Sequence, residues 1–309
     1  MKILLVGVKK ENHNHKKIEG FYNAFKNKGD VEWVRNFFEC KSDYYDLVFG
    51  EINIDEIINK LSDYKKIKIK THIFWNTIDF NKLKNISNLI KETNFICAYK
   101  TDITNKNALI EYQKQYGNSY QTWYYEGINI DDFINNDKTI INNNLKLVYL
   151  PCCLSEKEPF ENEKIYDLCY FGTIENRPNV KYILDRISEK YKILTNFSDQ
   201  GSVLTPEECY SFYKKTKATL SEQVQPVVLE YPVRLGESTS TGCKLFLLEK
   251  IPIHSNNKLI PEHVSDLNIE DLIKNLENYL ENFTVEESEK LYLNFESTYN
   301  NASDFLLSL

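Results

Sequence analysis

Residues 3–8 of the chain read ILLVGV, a continuous apolar run that predicts a strand buried on both faces. After a polar loop, residues 17–28 place apolar side chains at helical spacing, and Gly29 follows them. This pattern predicts a helix that ends at the glycine. A buried strand followed by an amphipathic helix is the β-α unit from which parallel sheets are built.

The same alternation continues through the first 150 residues. Further strands are predicted at residues 31–34, 46–50, 68–75 and 94–99, with a helix over IDEIINKL and another helix before the last of these strands. A final strand is predicted at residues 145–151, LKLVYLP, before the polar segment SEKEPFENEK. We expect a domain boundary there, because a polar stretch between two patterned regions is typical of a linker.

A second β-α series follows the linker. Strands are predicted at residues 166–172, 192–197 and 218–223, with helical segments between them, and residues 234–249 predict a helix start, a helix and the next strand. The fold class is therefore α/β with two Rossmann-like domains, which are expected to face a cleft at the carboxyl ends of both sheets. We place the first domain at residues 1–150, the second at residues 151–290, and a C-terminal helix, able to pack back on the first domain, at residues 291–309.

Composition limits the function classes. A chain of 309 residues with 42% hydrophobic residues forms real cores, and no apolar stretch is long enough for a membrane span or a signal peptide. Seven scattered cysteines without a CxxC pair argue against a disulfide framework or a structural zinc site, so we expect a cytoplasmic protein. The sequence leaves the oligomeric state open.

Charge is unevenly distributed between the two halves. Up to Leu150 there are 22 basic and 19 acidic residues, a net charge of +3, and after it 16 basic and 26 acidic residues, a net charge of −10. A slightly basic first half can attract a polyanion, although solvated surface lysines explain the excess equally well.

The first motif is the turn FGTIENRPNVK at residues 171–181. Gly172 ends the predicted strand, and Pro178 is a favourable residue for the first turn of a helix. The N-terminus of that helix would offer N–H groups to an anion, and Arg177 and Lys181 add positive charge suited to a diphosphate. The alternative is an ordinary β-α turn with basic surface residues.

The second motif is PVRLGESTSTGCKLFLLE at residues 232–249, interpreted as a helix start rich in Ser and Thr. The carboxylate of Glu237 can accept hydrogen bonds from two vicinal ribose hydroxyls. Phosphate oxygens would then lie near the hydroxyls and N–H groups of Ser238, Thr239 and Ser240. Ribose and diphosphate together imply a nucleotide, and the alternative is a capped helix with a glutamate in its first turn.

Together the two motifs resemble the donor-binding half of GT-B glycosyltransferases, in particular the Arg-x-x-Glu pattern of the branch that includes spore-maturation-protein-like and group 1 glycosyltransferases. The resemblance covers residues 148–249. The segments of this chain that match the family's motifs are YLP (149–151), CYFGT (169–173), YSFYKKTKATLSE (210–222) and VRLGESTSTG (233–242).

The resemblance implies roles for individual residues. Glu237 would hold the donor ribose, Arg177 the diphosphate, Gly172 and Thr173 the pocket wall, and Arg234 the sugar or phosphate. A UDP-sugar is the implied donor and no other cofactor is expected. An Asp-x-Asp motif is not evident in the sequence, which suits a metal-independent mechanism.

One departure from the family concerns stereochemistry. Many retaining members have two glutamates separated by seven residues, whereas this chain has Leu229 at the first position and Glu230 beside it. Retention and inversion of the anomeric configuration therefore stay open.

The acceptor side rests on the loops at residues 9–17 and 75–80, which the resemblance places on the cleft. An inverting transfer needs a base for the acceptor hydroxyl, and the candidates are His13, His15 and Asp79. Solvent exposure is the alternative for each of them. His72, inside a predicted strand, is expected to be a hydrogen-bonded core residue.

The sequence thus predicts a glycosyltransferase that moves a sugar from a nucleotide-sugar to a hydroxyl acceptor. The acceptor is a surface glycan, a protein or a hydroxymethylpyrimidine in DNA, the last of which requires a flipped base. A nucleotide-sugar epimerase and a non-catalytic sugar-nucleotide-binding protein are the alternatives, since both would keep the same donor site.

Overall fold

A computed structural model gives the fold of the chain. It describes residues 1–7, 16–75, 80–99, 138–151, 153–172, 174–175, 177–196, 204–222, 232–248, 257–266 and 268–309. The chain divides into two compact units, one formed by Met1–Pro151 with Ser303–Leu309 and the other by Cys152–Ala302.

The first unit contains a seven-stranded sheet in the order β2-β1-β3-β4-β5-β7-β6. All neighbouring strands are parallel except β6, which pairs antiparallel with β7 at the edge of the sheet. The strands are β1 (Lys2–Val6), β2 (Asp30–Val34), β3 (Tyr44–Gly50), β4 (Lys68–Trp75), β5 (Asn94–Tyr99), β6 (Lys138–Asn142) and β7 (Leu145–Tyr149).

Helices of the first unit connect these strands as the sequence pattern predicts. They are α1 (Lys16–Lys26), α2 (Ile54–Asn59), α3 (Leu61–Tyr64) and α4 (Phe80–Leu89). The helix expected over IDEIINKL is interrupted at Lys60, which ends α2 and precedes α3. Phe21 and Phe25 of α1 pack against Phe49 of β3 with ring centroids 4.5 and 5.6 Å apart, so aromatic contacts join helix and sheet.

The second unit contains a five-stranded sheet in the order β12-β11-β10-β8-β9, and every neighbouring pair is parallel. Its strands are β8 (Tyr166–Phe171), β9 (Ile193–Asn196), β10 (Thr216–Ser221), β11 (Lys244–Leu247) and β12 (Val264–Ser265). The chain moves from β8 to β9 on one side and from β10 to β11 on the other. The direction of winding therefore reverses between β8 and β10, where doubly wound sheets bind their ligands.

Helices of the second unit are α5 (Pro178–Ile187), α6 (Pro206–Lys214), α7 (Val233–Thr239), α8 (Ile269–Glu281) and α9 (Val285–Leu293). The core includes Leu168 and Tyr170 of β8, Val180 and Ile183 of α5, and Leu272 of α8, all fully buried. A last helix, α10 (Tyr299–Leu307), begins in the second unit and ends in the first.

The division lies one residue from the boundary expected at Leu150. The second unit extends to Ala302 rather than to residue 290, and only Ser303–Leu309 of the expected C-terminal helix belong to the first unit. None of the helices in the described ranges is both long enough and apolar enough to cross a membrane.

Candidate donor site

Gly172 marks the point where the winding of the second sheet reverses. It follows the last residue of β8 and has a φ of +144°, a conformation that residues with a Cβ rarely adopt. A Cβ at this position would lie 3.3 Å from Nη2 of Arg234 and 3.5 Å from the hydroxyl of Tyr170. The glycine therefore lets the backbone come close to the guanidinium of Arg234.

Arg234 joins the carboxyl ends of the two strands on either side of the reversal. Its Nη2 donates to the carbonyl of Phe171 in β8 at 2.5 Å, and its Nη1 donates to the carbonyl of Leu220 in β10 at 3.1 Å. The guanidinium carbon lies 5.0 Å from the ring centroid of Tyr170, within cation–π range. The side chain is thus held at the edge of the sheet where a ligand is expected.

Glu237 follows Arg234 by three residues, so the two side chains lie on the same face of α7. Burial opposes the charged form of Arg234, but Tyr213, Tyr170 and Glu237 together raise the pKa of the guanidinium. The structure therefore brings three residues of the two sequence motifs together: Gly172, Arg234 and Glu237.

Tyr210 of α6 extends this cluster. Its hydroxyl lies 2.5 Å from Oγ of Ser155, and its pKa is raised by burial and by the nearby charge of Glu237. The same two causes raise the pKa of the Cys209 thiol to about 12, so the thiol is protonated at neutral pH. Tyr210 was part of a matched segment in the sequence, but no local pattern indicated that it approaches Glu237.

Gly236 explains why α7 can approach its neighbouring segment so closely. A Cβ at this position would meet the carbonyl oxygen of Cys153 at 1.9 Å, far inside a normal contact distance. Glycine in the middle of the RLGES motif thus serves packing. It lets the helix pack against Cys153 and Ser155, and Ser155 in turn bonds to the hydroxyl of Tyr210.

The Ser/Thr-rich segment differs from its sequence interpretation. It was expected to start a helix, but α7 begins at Val233 and this segment ends it, with Ser240 as the C-cap. The side chains of Ser238, Thr239 and Ser240 are fully buried. The first two donate to the carbonyl of Leu235 and the third to that of Glu237. The structure therefore gives no phosphate-facing role to Ser238, Thr239 or Ser240.

The N-terminus of α5 is also arranged differently from the simple anion site expected there. Glu222, immediately after β10, places one carboxylate oxygen 2.9 Å from the backbone nitrogen of Val180 and the other 2.7 Å from Nδ2 of Asn179. An internal carboxylate therefore already accepts the N–H that Val180 offers at the helix end. No local pattern in the chain indicates this contact, because the two partners are 42 residues apart.

Arg177 lies beside this carboxylate. It is the N-cap residue of α5, and its Nε donates to the backbone carbonyl of Glu222 at 2.7 Å. Lys181, the other basic residue of the turn, forms an exposed ion pair with Asp185. Of these two basic residues, it is Arg177 that is hydrogen-bonded to the residue at the end of β10.

Several predicted site residues lie outside the described residues. These are the candidate bases His13, His15 and Asp79 and the pocket residue Thr173; Glu230, which bears on stereochemistry, also lies outside the described ranges. Among the residues that the structure does describe, no three His, Cys, Asp or Glu side chains are grouped closely enough to hold a metal ion.

No family model matches the chain, and no curated protein matches it. Among solved structures, a UDP-forming α,α-trehalose-phosphate synthase from Burkholderia xenovorans is similar over 99% of this chain and 98% of that chain, with a TM-score of 0.50 and 8% identity. An α1,3-fucosyltransferase matches over 99% of this chain and 89% of that chain, with a TM-score of 0.44 and 11% identity. The likeness to the synthase concerns the fold. Together with the two sheets, which are parallel except for β6, it confirms the α/β class with two Rossmann-like units.

Proposed function

We propose that this protein is a glycosyltransferase that moves a sugar from a nucleotide-sugar donor to a hydroxyl acceptor. The observation that carries the proposal is the position of Arg234 and Glu237. Both lie on α7, and the guanidinium of Arg234 is fixed to the ends of β8 and β10 beside Gly172. A cation and a carboxylate at this reversal point suit a diphosphate and a ribose, respectively.

Three further observations support the proposal. The fold resembles that of a synthase described as UDP-forming. The order of the matched motifs resembles GT-B enzymes of the spore-maturation-protein-like branch. Tyr210, whose hydroxyl is hydrogen-bonded to Ser155, is close enough to Glu237 for the charge to raise its pKa, so it can contribute a hydroxyl group near a bound sugar ring.

The chemical task of the site would be to stabilise charge on the leaving diphosphate. The bond from the anomeric carbon to the diphosphate oxygen breaks as the acceptor oxygen bonds to that carbon. The acceptor hydroxyl gives its proton to a base or to the leaving diphosphate, on which negative charge develops. Arg177 and Arg234 supply fixed positive charge without a metal ion, and such preorganised charge lowers the barrier. We propose a UDP-sugar as donor, a metal-independent mechanism and a cytoplasmic location.

The test is turnover of UDP-sugars by the wild-type chain and by Glu237 variants. Glu237→Gln keeps the size of the side chain but weakens its bonds to ribose hydroxyls, so we expect kcat/KM for the donor to fall about 10- to 100-fold. Glu289→Gln changes an exposed residue of α9 and serves as the matched control. UDP release is measured by a coupled assay.

The acceptor is identified in the same experiment by mass spectrometry of the products with surface glycans, proteins and hydroxymethylated DNA. A sugar attached to one of these acceptors supports the proposal. A changed sugar-nucleotide without UDP release would indicate the epimerase instead. Equal activity of Glu237→Gln and Glu289→Gln would remove Glu237 from the donor site.

A further inference from the structure

Glu222 supplies a helix cap from outside the helix. The N-cap residue of α5 is Arg177, which forms no side-chain capping bond, and Pro178 follows it. Helices need an acceptor for their first N–H groups, usually the side chain of the N-cap residue. Here the carboxylate of Glu222 accepts the N–H of Val180, the third residue of α5.

The same residue also contacts Arg177. Its backbone carbonyl accepts Nε of Arg177 at 2.7 Å, while its other carboxylate oxygen accepts Nδ2 of Asn179 at 2.7 Å. Glu222 is 8% exposed, so three hydrogen bonds to residues 177–180 form in a place with little access to water. Bonds between charged and polar groups are stronger there than in solvent.

We propose that Glu222 is a positioning residue that holds Arg177 in the orientation needed for the donor diphosphate. This inference rests on the proposed function. The carboxylate fixes the first turn of α5 to the end of β10, and the carbonyl of the same residue fixes the guanidinium relative to that turn. Loss of the carboxylate releases the turn, so the backbone of Arg177 shifts relative to the carbonyl of residue 222 to which its guanidinium donates.

The geometry favours positioning over direct contact with the donor. Both carboxylate oxygens of Glu222 already accept hydrogen bonds from α5, and a negative carboxylate repels a diphosphate. The alternative is that the carboxylate of Glu222 competes with the diphosphate for the N-terminus of α5 and so weakens donor binding. The two possibilities predict opposite effects of the same substitution.

The experiment compares Glu222→Ala, Glu222→Gln and Asn268→Ala. Asn268 caps α8 of the same unit by accepting from the backbone nitrogens of Glu270 and Asp271. It therefore controls for the loss of a helix cap away from the site. The readouts are the dissociation constant of UDP, measured by calorimetry, and KM and kcat for the donor.

Glu222→Ala is expected to weaken UDP binding and to lower kcat/KM for the donor about 10-fold or more, with part of the loss in kcat, because Arg177 also stabilises the charge on the leaving diphosphate. Glu222→Gln is expected to recover most of the affinity, because its carbonyl oxygen can still accept the N–H of Val180 and its amide can pair with Asn179 after a flip of that side chain. Asn268→Ala is expected to leave both constants unchanged.

A double variant tests whether Glu222 acts through Arg177. In the Arg177→Ala background, we expect Glu222→Ala to lower kcat/KM for the donor by less than about a further 2-fold, because the group that it positions is already absent. Independent, multiplicative effects would overturn the inference, as would tighter UDP binding by Glu222→Ala or equal constants for Glu222→Ala and Asn268→Ala. A wild-type chain that neither binds UDP nor transfers sugar would contradict the proposed function itself and the inference with it.

Discussion

His72 shows how one buried polar residue is accommodated in the first unit. It lies in β4, fully buried, and its Nδ1 is 2.6 Å from the hydroxyl of Tyr64. The rings of Phe37 and Phe74 stack on it with centroids 5.8 and 4.1 Å away. The expectation of a hydrogen-bonded core histidine is confirmed, and burial lowers the pKa of His72 to about 3.

This pKa predicts an acid-dependent loss of stability. In the unfolded chain the pKa of His72 is about 6.5. Between that pH and about 3, the unfolded state therefore binds a proton that the folded state does not. The contribution of His72 is fully present above pH 6.5 and decreases as the pH falls, by at most about 1.4 kcal/mol per pH unit. Urea titrations from pH 7 to 4 measure this slope.

His72→Phe provides the comparison, because phenylalanine cannot bind the proton and suits the aromatic surroundings. The unfolding free energy of the wild type minus that of the variant should fall steadily as the pH falls from 6.5 to 4. A difference that stays constant over that range would show that His72 does not contribute to the acid sensitivity.

At the scale of secondary structure, the turn between β6 and β7 holds the end of α4 in place. Nδ2 of Asn144 lies within 3.1 Å of three carbonyl oxygens, those of Ser87, Ile90 and Thr93. Thr93 in turn donates through its hydroxyl to the carbonyl of Ile69 at 2.9 Å. One buried amide, with two N–H hydrogens shared among three carbonyls, thus joins the last turn of α4 to the residues that follow it.

Asn144→Asp is therefore expected to destabilise the protein by about 2–4 kcal/mol, because a carboxylate cannot donate and would face three carbonyl oxygens. Asn282→Asp changes an exposed asparagine at the end of α8 and should cost less than about 1 kcal/mol. Chemical unfolding measures both, and equal losses for the two variants would disprove the role given to Asn144.

The elements also show which parts of the fold follow from local sequence. Strands β4 and β5 have the bounds that their apolar patterns predict, residues 68–75 and 94–99. Strand β6 was missed, because KTIIN lies in an asparagine-rich stretch and is a strand only through its pairing with β7. The end of α7 was mistaken for a start, because Ser and Thr are common at helix N-termini, and here the same hydroxyls donate to helix carbonyls.

The candidate site was predictable to the extent that its residues are neighbours in sequence. Arg234 and Glu237 stand three residues apart in a recognisable motif, and Gly172 ends a predicted strand. Glu222 and Tyr210 were missed as partners of these residues, since their contacts depend on how β10 and α6 pack beside β8 and α7. Such long-range contacts leave no periodic pattern in the chain.

At the scale of the whole molecule, the chain passes from the first unit to the second after Pro151 and returns after Ala302. The returning residues are integrated into the first unit. Lys28 forms an ion pair with Asp304, and Nζ of Lys146 donates to the carbonyl of Leu309 at 2.6 Å. Leu306 is 2% exposed.

Leu306→Ala is consequently expected to destabilise the first unit, although the residue lies close to the last one in the sequence. Removal of a buried leucine side chain costs about 2–5 kcal/mol, and faster hydrogen exchange should appear in the strands of the first unit. Leu293→Ala, at a leucine that is 62% exposed, is the control and should leave exchange unchanged. Faster exchange confined to the second unit would contradict the division.

The remote origin of the cap on α5 has a consequence for the position that begins the helix. Most helices reserve this position for a small side chain that binds the first N–H groups, and the helix dipole disfavours a cation there. Because the carboxylate of Glu222 accepts the N–H of Val180 and offsets the helix dipole, the side chain of residue 177 does not have to cap the helix and can be that of an arginine. Two residues far apart in the chain thus divide the work between them: Glu222 caps the helix, and Arg177 is left for the contact with the diphosphate that the proposed function gives it.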